Sequence, residues 1–231
     1  MTLSASDAHG DVTRVLAVRH GETAWNVENR IQGQLDIALN DLGRWQAQRL
    51  AAALAGETVD AIYTSDLRRT VDTAAPTARG RRVAAAADAG LRERGFGVFE
   101  GLTFGEIEQR WPEQSARWRR RDPEFGAEGG ETLSEFYARS VATTIRLAAA
   151  HPGQTVMIVT HGGVLDCLYR AASRIALDAP RSWQIGNASI NRLLYTPQGF
   201  TLIGWSDDHH LEEAPLDEAA DGATTLRARR A

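Results

Sequence analysis

Lysine is missing from this chain of 231 residues: all 26 of its basic side chains are arginines. The absence removes whole classes of chemistry. A P-loop needs a lysine on the β- and γ-phosphates, a protein kinase needs its strand lysine, and Schiff-base enzymes need a lysine amine. Any phosphate this chain handles must be held by guanidinium groups or histidine. Cysteine is nearly as scarce. The single one, Cys167, allows no internal disulfide and no cysteine-based zinc site, and it fits a reducing compartment. A basic excess is also lacking. The balance of 30 acidic to 26 basic residues speaks against a nucleic-acid partner. The first dozen residues have neither the basic nor the apolar segment of a secretory signal, and no run approaches the ~18–20 apolar residues of a membrane span. The expectation is a cytoplasmic protein with no membrane partner.

What is present is an alternation of short apolar runs and amphipathic stretches. Thr13–Arg19 (TRVLAVR), Asp60–Thr64 (DAIYT) and Thr155–Thr160 (TVMIVT) read as buried strands. Asn40–Leu54, Leu67–Ala75, Thr103–Trp118 and Thr132–Ala150 read as helices, with Leu42, Trp45, Leu50 and Leu54 as the inward stripe of the first. Pro76 is expected to end or kink the second, and Pro112 to interrupt the third. Cys167 lies in the apolar run 164–169 and reads as core. Ser189–Tyr195 and Phe200–Trp205 are expected to pair as a hairpin across Thr196–Gly199. The pattern predicts one α/β domain over 13–211, a three-layer α/β/α arrangement around a mainly parallel sheet. Residues 1–12 read as a flexible arm, and the Ala- and Asp-rich 212–231 as a disordered tail.

Two predicted strands end alike, in Arg19-His20-Gly21 and in Thr160-His161-Gly162. Ligands of open α/β sheets bind beyond the carboxyl ends of strands. If the two strands are neighbours, both imidazoles reach one pocket. A third strand end opens on Ser65-Asp66-Leu67-Arg68-Arg69-Thr70, and Leu91-Arg92-Glu93-Arg94-Gly95 adds a carboxylate. His20 and His161 with Arg19 and Arg68 would form a cationic cup suited to a phosphate dianion, since arginine pairs with phosphate oxygens in bidentate fashion. Asp207-Asp208-His209-His210, and His161 with Asp166, are the alternative metal-ligand candidates. They lack a helical i, i+4 histidine pair, and no metal is expected.

The octet Arg19–Asn26 (RHGETAWN) resembles the signature of the histidine phosphatase, or phosphoglycerate-mutase-like, superfamily. The blocks Asn29–Gly33, Leu39–Gly43, Tyr63–Thr70, Glu93 with Phe99–Gly101, Gly129–Thr132 and Thr160–Gly163 follow in the same order. The resemblance spans roughly 13–205. It implies that His20 is a nucleophile forming phosphohistidine, that Arg19, Arg68 and His161 hold the phosphoryl oxygens, and that Glu93 protonates the leaving oxygen. It places Thr23, Asn26, Gln32, Gly33 and Gly162 on the phosphate and substrate side. Guanidinium neighbours favour the neutral imidazole that attack requires.

The superfamily holds phosphatases and mutases. Gly162-Gly163 after His161, the Gly129–Thr132 segment and the missing lysine favour a phosphatase. The expected activity is a metal-independent phosphomonoesterase acting on a small acidic metabolite, with no cofactor. The alternative is a phosphoglycerate mutase that needs 2,3-bisphosphoglycerate. It is favoured by Trp118–Asp122, where Arg120 and Arg121 would take the substrate carboxylate. A non-catalytic phospho-ligand module is the third reading, and a homodimer is left open.

Overall fold

The seven residues Thr13–Arg19 form β1, and Thr155–Thr160 form β4, as expected. Both are apolar on the two faces of the pleat, which a strand tolerates only when layers cover it on both sides. The computed structural model describes residues 12–212. The expected arm at 1–12 and tail at 212–231 lie outside the described residues, apart from one residue at each border. The remaining strands are β2 (Ala61–Thr64), β3 (Ala85–Ala87), β5 (Ile190–Thr196) and β6 (Gly199–Asp207). They form one sheet in the order β3-β2-β4-β1-β5-β6. The first four run parallel, and the β5–β6 hairpin is added antiparallel at one side. The β3 strand is three exposed alanines, which carry no strand signal in the sequence.

Alternate residues of β1 enter two cores. Val15 and Ala17 pack with Val156 and Ile158 under Leu147, Val164 and Leu168. These come from helices α6 (Leu133–Ala149) and α7 (Gly162–Ser173). Cys167 is buried in this layer, and desolvation pushes its thiol pKa up, which removes it as a nucleophile. Leu16 and Val18 pack with Met157 and Val159 against Leu50, Leu54 and Ala74 on the other face. Leu50 lies in α2 (Asp41–Ala53), Leu54 caps its C-terminus and Ala74 lies in α3 (Arg68–Arg81); the short α1 (Ala24–Val27) precedes α2. The three-layer α/β/α arrangement is thus present. A third cluster stands apart. Phe99, Ile107, Phe125 and Ile31 are its centre, beside α4 (Phe104–Arg110) and α5 (Pro112–Arg119).

Two expectations are corrected. Helix α3 runs through Pro76 to Arg81, because the buried stripe Arg69, Thr70, Thr73, Ala74, Thr77 crosses the proline and keeps packing beyond it. Helix α2 buries Gly43, Gln46, Ala47 and Leu50, while Leu42 is exposed. The phase is set by contact with the loop after β1. A Cβ at Gly43 would lie 2.1 Å from the Glu22 carbonyl oxygen, and Gln46 Oε1 accepts the Glu22 N–H at 2.8 Å.

Candidate active site

Parallel pairing sets Arg19 opposite Thr160, so the residues that follow, His20 and His161, emerge side by side at the carboxyl end of the sheet. Their ring centroids are 5.3 Å apart, and both rings are buried. His20 Nδ1 lies 2.7 Å from the Gly21 carbonyl oxygen. A carbonyl only accepts, so Nδ1 carries the proton and Nε2 keeps a free lone pair. Asn187 Nδ2 donates to the His20 carbonyl at 3.0 Å. Burial, then the charges of Arg69 and Arg19, hold the His20 pKa well below the usual histidine value. Burial, then the charge of Arg69 and the neighbouring His20 and Arg19, depress His161 as well.

His161 is wired differently. Its Nδ1 accepts from Arg69 Nε at 3.2 Å, so its proton sits on Nε2 and is donated to Ser65 Oγ at 2.8 Å. Ser65 Oγ is in turn 3.0 Å from Thr70 Oγ1. Both ring nitrogens of His161 are therefore spent on protein partners.

The arginine of this cup is Arg69, and the expectation for Arg68 is corrected. Arg69 is fully buried; its Nη1 and Nη2 donate to the carbonyls of Leu35 and Gly33, each at 2.7 Å. Desolvation lowers its pKa to about 10. Arg68 points outward, two-thirds exposed, into an i, i+4 pair with Asp72. The missed signal was helical phase. Arg69, Thr73 and Thr77 recur at intervals of four on the buried face, while Arg68 and Asp72 share the wet one.

Arg19 completes the cationic side. Its Nη1 donates to the Ile185 carbonyl, while its buried Nε has no protein acceptor. Gln32 Oε1 is a second buried polar atom without a partner. Unpaired buried groups are rare, and at a cleft they mark where a ligand bonds. Glu93 faces them. Its Oε1 accepts from Arg94 N at 2.8 Å and its Oε2 from Gly163 N at 2.9 Å. A Cβ at Gly163 would lie 2.1 Å from Glu93 Oε1, so the second glycine after His161 is required for this carboxylate to dock on the start of α7.

Above this floor lies a cleft of about 510 Å³, lined by Arg19, His20, Arg69, Glu93, Asn26, Gln32, Gly33 and Asn187 below. Trp25, Arg30, Ile31, Phe96, Phe104, Trp118 and Arg181 wall it. Phe104 stacks on Trp118 at 5.1 Å. Among the described residues no three histidine, cysteine, aspartate or glutamate side chains converge as a metal site.

The profile of the histidine phosphatase superfamily (branch 1) matches residues 15–208. The chain belongs to that superfamily. It is 38% identical to phosphoglycerate mutase-like protein 4 of Arabidopsis thaliana over 92% of this chain and 93% of the relative. It is 36% identical to the metal-independent phosphoserine phosphatase of the same plant, over 92% and 89%. The structure of a mycobacterial glucosyl-3-phosphoglycerate phosphatase with VO3 superposes with a TM-score of 0.76 at 32% identity, covering 84% of this chain and 99% of that one.

In this histidine phosphatase the remaining expected residues divide. Asn26 lines the cleft, its Oδ1 accepting from Thr23 N, which leaves its amide N–H groups for a ligand. Thr23 is buried and spends its hydroxyl capping α1. Gly33 adopts φ +51°, a left-handed conformation that presents its carbonyl to Arg69. Gly162 lies under the floor, where a Cβ would approach Arg19 Nε to 3.5 Å. Arg120 is exposed and does not line the cleft. Arg121 turns away to Asp166, with Nη2 2.6 Å from Oδ2. Sequence reading also missed Arg181 and Asn187, which irregular segments carry, and the aromatic wall: Phe104 and Trp118 lie in the stretch read as helical, but nothing local showed that they face the cleft.

Proposed function

We propose that this histidine phosphatase hydrolyses a small phosphomonoester through a phosphohistidine on His20, without metal or cofactor. The observation that carries the reading is the His20 ring, held by Gly21 so that an unprotonated Nε2 sits beside Arg19 and Arg69 on the cleft floor. The Nε2 lone pair forms the N–P bond as the P–O ester bond breaks, and Glu93 supplies the proton that the leaving oxygen takes up. Water then attacks phosphorus, its proton passes to Glu93, and the N–P electrons return to His20. Arg19 and Arg69 meet the charge on the phosphoryl oxygens with donors already in place. His161 acts through Arg69, fixing its guanidinium with a neutral acceptor.

Relatives named phosphoserine phosphatase and glucosyl-3-phosphoglycerate phosphatase support hydrolysis of a small phosphorylated metabolite. The mutase reading is supported by a relative's mutase-like name. Its two substrate arginines do not serve it here, because Arg121 is bonded to Asp166 and Arg120 lies outside the cleft. No helix among the described residues is long and apolar enough to cross a membrane. The cytoplasm fits the single buried thiol.

The test is a phosphomonoester panel that includes 3-phosphoglycerate, with and without 2,3-bisphosphoglycerate. Phosphate release without isomerisation is expected; bisphosphate-dependent isomerisation would select the mutase. His20→Ala should lose at least about 10⁴-fold in kcat. Wild-type protein quenched during turnover should carry an acid-labile, base-stable phosphoryl group.

A further inference from the structure

The loop from α7 to β5 is unusually well tied down for an irregular segment. Arg170, fully buried, donates to the carbonyls of Ala176 and Ala179. Arg121 Nε donates to the Leu177 carbonyl at 2.8 Å. Asp166 holds both arginines through Oδ2, at 2.6 Å and 3.0 Å. Downstream, Trp183 stacks on Tyr169 at 4.0 Å, and Arg19 takes the Ile185 carbonyl at 2.7 Å. Residues on either side of position 181 are thus clamped to α7, to the end of α5 and to the cleft floor.

What this strapped loop delivers is Arg181, whose side chain lines the cleft. Its neighbours among the cleft arginines have partners. Arg30 pairs with Glu28 and Glu106, and Arg69 and Arg19 bond to backbone carbonyls. Arg181 has no hydrogen bond or ion pair among the described residues. It lines the same cavity as Arg19, whose pKa is lowered by burial and, less, by the charge of Arg181. A fixed loop holding an unpaired guanidinium toward a like charge gains from an anion placed between them. The phosphoryl group occupies Arg19 and Arg69, and the cleft has room beyond them.

We infer that Arg181 is a specificity-determining residue that pairs with a carboxylate on the leaving-group side of the substrate. The substrate class is then phosphomonoesters that carry a carboxylate. This rests on the phosphatase reading above. It moves to Arg181 the task that the sequence assigned to Arg120 and Arg121, which instead help to hold the loop (Arg121) or lie in solvent (Arg120).

The experiment compares 3-phosphoglycerate with p-nitrophenyl phosphate on the full chain. In Arg181→Gln the ratio of kcat/KM for the acid to that for the neutral ester should fall about tenfold or more, chiefly through KM for the acid. Arg181→Glu should lower it further, and Arg181→Lys should restore part. A ratio within about twofold of wild type in all three variants overturns the inference. A binding arm separates this from the function itself. In a His20→Ala background, calorimetry with 3-phosphoglycerate and inorganic phosphate reads affinity without turnover. Adding Arg181→Gln should weaken the acid about tenfold more than phosphate. Equal loss for both ligands, or no binding of the acid before that change, overturns the inference. A differential loss in a protein that hydrolyses no ester would overturn the phosphatase reading and leave Arg181 in place.

Discussion

The floor and the wall of the cleft are built in opposite ways. The floor is made of strand ends and the first turns of helices. His20, His161 and Arg69 are buried, and the strand pairing of β1 with β4 alone brings the two histidines together. Apart from Arg181, whose loop is tied to α7 and to the floor, the wall is made of loops and short helices beside a separate small core, and Phe104 in it is more than half exposed. A floor fixed by a sheet keeps one chemistry; a wall resting on its own cluster can change which ester enters without moving the nucleophile.

The comparison is best broken from the wall's side first. Phe99 is fully buried at the centre of the third cluster, against Trp111, Trp118 and Phe125. Phe99→Ala should cost about 3–5 kcal/mol by urea unfolding. If wall and floor are independent, phosphate should still protect the variant against unfolding. Loss of that protection would show that the floor depends on the wall.

Within the floor, Arg69→Ala should cost about 10²–10³-fold in kcat, the loss typical of one donor to a transition-state anion. Arg68→Ala removes only a surface pair worth about 0.3–0.5 kcal/mol and should leave kcat/KM near wild type. Equal effects at the two positions would refute the assignment.

The buried histidines make the floor pH-sensitive. Both have pKa values depressed below 6.5 in the folded chain, so below that pH the unfolded chain binds more protons. Stability must therefore rise with pH and fall as pH drops below about 6.5. The slope tends toward about 1.4 kcal/mol per pH unit for each histidine. Urea midpoints between pH 7 and 5 in phosphate-free buffer check this, and His20→Gln should remove one histidine's share. The neutral His20 also predicts no loss of kcat/KM at pH 6.5 from its own protonation.

Sequence and structure agree best where the chain is most apolar. β1 and β4 were legible to the residue, because a buried parallel strand is a continuous run of apolar side chains bounded by polar ends. The two histidines were legible for the same reason: each directly follows such a run. The helices at Asp41 and Leu133 were readable as amphipathic stretches, and in the structure Asn40 and Thr132 cap them. Arg69 was within reach, had the phase of α3 been followed from Thr73 and Thr77. Pro76 misled because a proline's missing N–H is a local cost, while the packing that outweighs it comes from elsewhere in the fold.

By itself, the sequence determined the layered fold, the placing of His20 and His161 directly after two buried strands, and the absence of lysine-based phosphate chemistry. These follow from local composition and from where each apolar run stops. Only the tertiary structure decided which arginine enters the floor, that Arg121 braces a loop, and that Arg181 reaches the cleft. Those outcomes depend on helix phase against a distant sheet and on backbone carbonyls accepting from residues tens of positions away. No short stretch of sequence carries that information, because the partner that decides each orientation lies elsewhere in the chain.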